Sequence, residues 1–186
     1  MSGELKEIKK ACEECRACAL AQTRRNCVFG TGNENARIMF VGEAPGEAED
    51  MQGIPFVGAA GQLLDRYLYA VDIRREDVYI ANILKCRPTA NRDPLPEEQD
   101  ACIGYLRAQV KAIRPSIIVC LGRISAQRLI SPDIKITRDH GKWFEKAGIQ
   151  MCCVYHPAAL LRDPLKKGDM LDDMKSIKKK LDELAI

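Results

Sequence analysis

The chain contains four short runs of mainly apolar residues, separated by segments with helical spacing. The four runs cover residues 37–41, 78–84, 116–121 and 150–155. Each has the length and composition of a buried strand. Apolar spacing predicts five helices, at residues 4–20, 62–70, 97–113, 124–130 and 170–184. This alternation predicts one domain over residues 1–186, of class α/β, with three α/β/α layers around a central, mostly parallel four-stranded sheet.

Unusual polar segments follow three of the four predicted strands. The first strand leads into GEAPGEAED, the second ends in Asn82 and KCRP, and the fourth leads into HPAALLR. Ligands of open parallel sheets bind beyond the carboxyl ends of the strands. We therefore expect these segments to meet at one edge of the sheet, where water and a substrate can reach the carboxylates.

Composition and charge narrow the possibilities only slightly. Hydrophobic residues make up 46% and charged residues 30% of the chain, as in ordinary soluble proteins. The net charge of +3 does not by itself imply a nucleic acid partner, although local basic patches could contact phosphates. Without a long apolar run or a signal-peptide pattern, we expect a cytoplasmic protein that does not enter a membrane.

Nine cysteines are many for an intracellular chain, and they favour a metal site over disulfides. The C-x2-C pattern indicates four thiolates that hold either zinc or a [4Fe–4S] cluster. Two ligand sets fit the spacing. One is local, with Cys12, Cys15, Cys18 and Cys27, and the other combines Cys15 and Cys18 with the distant Cys86 and Cys102. The remaining cysteines, Cys120, Cys152 and Cys153, fall in predicted strands and are expected in the core.

Seven stretches of the chain resemble the family 4 uracil-DNA glycosylases, the iron–sulfur branch of that superfamily. In order, they are CRAC, VGEAPGEAED, GIPFVGAAGQLLD, YIANILKCRPTANR, CLGRISAQ, ITRDHGKW and YHPAALLR. The resemblance covers nearly the whole chain. It implies a structural [4Fe–4S] cluster, with zinc as the alternative, and its ligands would be Cys15, Cys18, Cys86 and Cys102.

The resemblance also implies an activity. A monofunctional glycosylase would flip uracil out of single- or double-stranded DNA, hydrolyse its N-glycosidic bond and leave an abasic site for base excision repair. Such an enzyme would be a nucleoid-associated monomer. The resemblance implies that His156 hydrogen-bonds uracil O2 and that Glu43 orients or activates the attacking water.

Four residues resemble the uracil-binding positions of the family. Phe56 would stack on the base, and the amide of Asn82 would read O4 and N3–H, which cytosine does not match. Glu47 would crowd C5 and exclude the methyl group of thymine. Gly42 precedes Glu43 in the same segment, and Ala44 is the small residue that family 4 carries where the better-known branch has aspartate.

Four further residues are expected to contact DNA. Leu160 stands four residues after His156, where the superfamily usually carries the side chain that wedges into the base stack. Leu161 and Arg162 would hold the gap open or grip a phosphate, and Ser125 would offer its hydroxyl or N–H to a phosphate. Alternatively, both leucines begin a helix and pack inward.

Other functions remain open at this point. A non-catalytic metal-cluster module that binds DNA beside a polymerase would explain the cysteines but not the three polar strand ends. A nucleotide-binding enzyme lacks the required glycine spacing in GEAPGE. A relative that crosslinks to uracil-DNA would need a histidine after Cys86, and the sequence RPTANRDPLP has none.

Overall fold

A six-stranded sheet forms the middle layer of the computed structural model, which describes residues 2–184. Its strands are β1 (Thr31–Gly32), β2 (Ile38–Gly42), β3 (Tyr79–Asn82), β4 (Ile117–Leu121), β5 (Trp143–Lys146) and β6 (Ile149–Val154). They lie in the order β1-β3-β2-β4-β6-β5. The four inner strands are parallel, and each edge strand is antiparallel to its neighbour.

The predicted fold class is confirmed, but the strand count is corrected from four to six within residues 2–184. The four predicted strands are the inner ones, because they are mostly buried on both faces and therefore mostly apolar. The sequence did not reveal the edge strands. β1 has only two residues, and β5 is only half-buried or exposed, so neither forms an apolar run.

Helices cover both faces of the sheet. They are α1 (Gly3–Glu13), α2 (Leu20–Thr23), α3 (Glu47–Gln52), α4 (Ala59–Ala70), α5 (Pro96–Ile113), α6 (Arg123–Leu129), α7 (Ile136–Asp139), α8 (Pro157–Arg162) and α9 (Lys167–Glu183). One core cluster joins α4, α8 and α9 to one face, and another joins α1 and α5 to the opposite face. None of the helices within residues 2–184 is long and apolar enough to cross a membrane.

The helix predicted at residues 4–20 is divided in the structure. α1 ends at Glu13, and α2 begins only at Leu20. The guanidinium of Arg24 donates hydrogen bonds to the carbonyls of Cys12, Glu13 and Cys15 at the end of α1. These bonds satisfy carbonyls that a continuing helix would have used itself, and they leave the C-x2-C segment in a turn.

Candidate active site

A cavity of about 600 Å³ opens where β2, β3 and β6 end. Its lining contains Glu43 just after β2, Asn82 at the end of β3 and His156 just after β6. Phe56 enters from the loop before α4. The structure therefore brings together the four side chains that the sequence placed around one substrate.

The end of β2 fixes how closely these groups approach. Gly42 pairs with Asn82 in the parallel ladder, and the N–H groups of Ile83 and Leu84 donate to the carbonyls of Gly42 and Glu43, each at 3.0 Å. A Cβ at position 42 would lie 2.4 Å from Asn82 Oδ1 and 2.6 Å from the ring of Phe56. Only glycine at position 42 therefore allows the Asn82 amide and the Phe56 ring to lie this close to the main chain.

Asn82 presents an unused hydrogen-bond acceptor. Its side chain is 1% exposed, and Oδ1 has no hydrogen-bond partner within the described part of the chain. A buried polar atom without a partner costs about 1–3 kcal/mol. Because Asn82 lines the cavity, this oxygen is suited to accept a hydrogen bond from an N–H group of a ligand.

Phe56 is held in an unusual backbone conformation. Its φ of +53° lies in the left-handed region, which costs a non-glycine residue free energy. Glu49 fixes the loop that follows, since its carboxylate accepts the N–H groups of Val57 at 3.0 Å and Gly58 at 2.9 Å. The Phe56 ring lies 5.7 Å from the imidazole of His156, so the two rings form adjacent walls of the cavity.

His156 is neutral and has a defined tautomer. It begins α8 as its N-cap, and Nδ1 accepts the N–H of Ala158 at 3.1 Å. Burial and the nearby charge of Arg162 lower the pKa of His156 to about 4. The single ring proton therefore lies on Nε2 at neutral pH, which leaves Nε2–H as the donor available to a ligand.

Glu43 titrates near neutrality. Burial, together with the charge of Asp93, raises the pKa of Glu43 to about 7, while Arg123 acts in the opposite direction. Asp93 and Arg123 form an ion pair of 2.8 Å. A carboxylate with this pKa is suited to general acid–base work at neutral pH.

Glu47 does not reach the cavity. It is the first residue of α3, its side chain is exposed, and its carboxylate lies 3.8 Å from Arg87. Glu49, two positions further along the helix, lines the cavity instead. The structure thus corrects the predicted placement, because successive helical residues point in different directions around the axis.

The two leucines after His156 also differ in direction. Leu160 is 0% exposed and packs in the core, whereas Leu161 is 47% exposed and lines the cavity beside Arg162. The structure corrects the prediction that Leu160 is exposed to act as a wedge, since it faces the body of the protein from α8. The alternative of a helix whose leucines pack inward holds for Leu160 alone.

Ser125 uses its hydroxyl inside the protein. Its side chain is buried in α6, and its hydroxyl donates to the carbonyl of Val41 at 2.6 Å. This bond ties α6 to β2 beneath the cavity. The predicted DNA contact through the hydroxyl is therefore corrected to a bond that supports the sheet.

The cavity also contains three polar residues of one loop that were not predicted from the sequence. They are Asn91, Arg92 and Asp93, and they come from the loop after Cys86. Arg87 Nε donates to Asn91 Oδ1 at 2.8 Å, and Arg92 forms an ion pair with Glu98. The sequence did hold one indication of their role. This loop follows the carboxyl end of β3, so it lies at the same edge of the sheet as the other cavity residues.

Most of the cysteines outside the core of the sheet lie together in a second site. Five of them line a space of about 10 Å³, namely Cys12, Cys15, Cys18, Cys86 and Cys102. Cys27 does not line this space, and its Sγ lies 3.2 Å from Cys12 Sγ. This arrangement favours the ligand set that joins Cys15 and Cys18 to the two distant cysteines.

The surroundings of these sulfurs suit thiolate ligands. The N–H groups of Ala17 and Lys85 donate to Cys15 Sγ at 3.4 Å and Cys102 Sγ at 3.3 Å. Arg24 donates to Cys86 Sγ at 3.2 Å. No group of three or more possible ligands within residues 2–184 is already arranged as a metal site. The donors nevertheless fit an iron–sulfur cluster, whose sulfurs accept such hydrogen bonds.

Comparisons with known proteins show which family the chain is similar to. The family model of the uracil DNA glycosylase superfamily matches residues 29–181. The chain is 48% identical over 181 residues to a type-4 uracil-DNA glycosylase of Archaeoglobus fulgidus, covering 93% of this chain and 91% of the relative. It is 42% identical over 179 residues to a type-4 uracil-DNA glycosylase of Pyrobaculum aerophilum, covering 92% and 91%. A DNA polymerase of Bacillus phage SP01 is 32% identical over 146 residues, which cover 78% of this chain and 16% of the polymerase.

Two helical glycines differ in the space around them, and this difference predicts opposite effects of alanine substitution on stability. A Cβ at Gly61 would lie 1.9 Å from the Phe56 carbonyl oxygen, so Gly61→Ala should lower the free energy of unfolding by roughly 1–3 kcal/mol. Gly104 in α5 is exposed with no atom near its Cβ position, and Gly104→Ala should raise stability by about 0.5–1 kcal/mol. Urea unfolding of both variants tests this, and equal shifts in the same direction would contradict it.

Proposed function

The chain belongs to the uracil DNA glycosylase superfamily, and we propose from this membership and the cavity how it removes uracil from DNA. The predicted family resemblance is confirmed. The protein is a uracil-DNA glycosylase, a hydrolase that acts on N-glycosyl bonds in base excision repair. The observation that carries the proposal is the Asn82 amide oxygen, which has no hydrogen-bond partner within residues 2–184 and shares a cavity with Phe56, His156 and Glu43.

Recognition begins with a uracil flipped out of the DNA, in a single strand or a duplex. Phe56 stacks on the base, which contributes about 1–3 kcal/mol. Asn82 Oδ1 accepts N3–H of uracil and Nδ2 donates to O4. Cytosine lacks the N3 proton and carries a donor at position 4, so it would leave the buried amide doubly mismatched. Pro45, Gly46 and Glu49, which line the cavity, lie against C5 in place of the Glu47 side chain.

His156 stabilises the leaving base. As the glycosidic bond breaks, negative charge develops on uracil O2, and Nε2–H donates a hydrogen bond to it. A donor held in place for such a charge contributes about 2.7–4 kcal/mol in a comparable site. The neutral imidazole keeps its proton, since a pKa of about 4 makes Nε2–H a donor at every physiological pH.

Glu43 acts on the water and on the sugar. In its carboxylate form it accepts a hydrogen bond from the attacking water, and its negative charge favours the cationic deoxyribose of the transition state. Both effects need the deprotonated acid. Because the pKa of Glu43 is raised to about 7, this form gains population as the pH rises through neutrality.

Four cysteines would hold the cluster, Cys15, Cys18, Cys86 and Cys102. The group is a [4Fe–4S] cluster, with zinc as the alternative metal, and when bound it supplies a crosslink rather than redox chemistry. These residues join the turn between α1 and α2 to the segment after β3 and to α5. The crosslink holds the Cys86 loop, whose next residues line the active-site cavity.

The rim of the cavity meets the DNA. Leu161 is exposed there and takes the place left by the flipped nucleotide, and Arg162 contacts the neighbouring phosphate. A monomer is sufficient for this arrangement, because every side chain of the proposed site comes from one chain. The protein would act in the cytoplasm, associated with the nucleoid.

The similarity to a phage DNA polymerase favours one second candidate, a non-catalytic module that binds DNA beside a polymerase. Such a module has no need for a partnerless buried amide or for a carboxyl group with a raised pKa. Those two groups cost stability, so their presence in one cavity supports the glycosylase.

The direct test is release of uracil. Purified protein is incubated with a uracil-containing oligonucleotide, and alkali then cleaves the strand at abasic sites. We expect cleavage by the wild-type protein and roughly 10²–10⁴-fold lower kcat/KM for Glu43→Gln. A wild-type protein that binds the oligonucleotide but leaves it uncleaved would support the non-catalytic module.

The same assay at several pH values tests the state of Glu43. Below pH 7 the wild-type kcat/KM should fall as Glu43 gains a proton, and above pH 8 it should level off. His156 should add no step in this range, because its pKa lies near 4. The lower activity of Glu43→Gln should lack the acidic fall, and a fall of wild-type shape in that variant would contradict the assignment.

The two adjacent leucines predict separable defects. Leu161→Ala should leave the free energy of unfolding within about 0.5 kcal/mol of wild type and lower kcat/KM on duplex DNA more than on single strands. Leu160→Ala should instead cost about 2–5 kcal/mol of stability. Unfolding and kinetics on both substrates measure this. A larger loss of duplex activity in folded Leu160→Ala would reverse the assignment of the wedge.

Cysteine variants test the ligand set. Alanine at Cys15, Cys18, Cys86 or Cys102 should remove the brown colour and the iron, whereas Cys27→Ala and Cys120→Ala should retain both. Iron and zinc analysis of freshly purified protein measures this, with Cys120 in β4 as the buried control. Loss of iron in Cys27→Ala would favour the local ligand set, and a colourless protein with one zinc would favour the alternative metal.

A further inference from the structure

Lys85 is a fully buried lysine whose ammonium reaches back to the active site. Its side chain is 1% exposed, and Nζ donates to the main-chain carbonyl of Asn82 at 3.0 Å. Nζ also donates to Gln109 Oε1 at 2.7 Å. Burying a lysine costs free energy of folding unless its ammonium donates hydrogen bonds, and these two bonds offset that cost.

The main chain of Lys85 faces the cysteine cluster. Its N–H donates to Cys102 Sγ at 3.3 Å, and the next residue is Cys86. Its carbonyl accepts the N–H of Val28 at 2.8 Å. One residue therefore contacts the cysteine cluster through its backbone and the base-reading residue Asn82 through its side chain.

The partner of Lys85 is itself firmly held. Gln109 Nε2 donates to the Phe29 carbonyl at 2.9 Å and lies 3.2 Å from the Tyr79 hydroxyl. Gln109 is completely buried in α5. The position of Nζ is thus fixed by its hydrogen bond to Gln109 of α5, which does not line the active-site cavity.

Asn82 needs such support from its backbone. Its Oδ1 has no hydrogen-bond partner among the described residues, so no hydrogen bond of that atom fixes the direction of the amide. The carbonyl bond to Lys85 restrains the peptide from which the amide projects. Removing it would let the amide turn away from the geometry that separates uracil from cytosine.

We propose that Lys85 is a positioning residue for uracil recognition, which holds the Asn82 peptide in register with the cysteine cluster. The inference rests on the proposed function. It assigns the discrimination between uracil and cytosine to two residues, Asn82 that reads the base and Lys85 that fixes the reader.

The test measures binding, independently of turnover. Oligonucleotides carry 2′-fluoro-2′-deoxyuridine or 2′-fluoro-2′-deoxycytidine, whose glycosidic bonds resist hydrolysis, and fluorescence anisotropy gives the two Kd values. In Lys85→Met, which keeps the apolar stem and the backbone N–H, the cytosine-to-uracil Kd ratio should fall at least tenfold, equivalent to about 1.4 kcal/mol. The iron content should equal that of wild type.

Matched variants separate positioning from general loss of structure. Tyr79→Phe removes only the hydroxyl at the outer end of the same network and should keep the wild-type ratio. Asn82→Ala should lower the ratio, and adding Lys85→Met to it should lower the ratio no further. An unchanged ratio in Lys85→Met, or an equal further fall in the double variant, would overturn the proposal.

A second variant covers the case in which Lys85→Met does not fold or lacks iron. Gln109→Met releases Nζ from α5 and leaves Lys85 in place, and its ratio should fall at least threefold. A wild-type ratio in Gln109→Met with full iron would also overturn the proposal. If the wild-type protein shows no preference for the uracil analogue, the proposed function fails instead.

Discussion

The pairing of Gly42 with Asn82 at the ends of two parallel strands is the constraint on which the site depends. A slip of one residue would turn the amide to the opposite face of the sheet. A second glycine has a similar role just after β4, since a Cβ at Gly122 would lie 2.9 Å from His156 Cβ. Glycines at the end of β2 and just after β4 therefore let the Asn82 amide and the His156 imidazole approach the sheet closely.

The groups to which we assign the chemistry are unfavourable for folding. The Asn82 oxygen is buried without a partner among the described residues, and Phe56 adopts a left-handed backbone; each costs about 1–3 kcal/mol. Glu43 is easier to protonate in the folded protein than in the unfolded chain. Its contribution to stability is therefore lost as pH rises from about 4.5 to about 7. Burial of the apolar inner strands offsets these costs. The unfavourable groups are therefore concentrated in the proposed substrate cavity.

The sequence was most informative where one pattern determines one structure. Continuous apolar runs identified the four inner strands, and their polar ends identified the edge where Glu43, Asn82 and His156 meet. It was least informative in short helices, where neighbouring residues differ only in direction. α3 and α8 have six residues each, too few for periodicity to show which face is buried. Ser125 was misplaced for another reason, because its bond to the Val41 carbonyl depends on tertiary packing.

The preference for one of the two cysteine sets comes from the fold, because it depends on where the chain goes after β3. The segment from Asn82 to Cys86 is short. Two of its N–H groups, those of Ile83 and Leu84, donate hydrogen bonds to the carbonyls of Gly42 and Glu43. The proposed crosslink at Cys86 and Cys102 would therefore act on the same short segment that places the Asn82 amide. In our proposal the cluster therefore influences which base is accepted by holding this segment, without entering any step of the reaction.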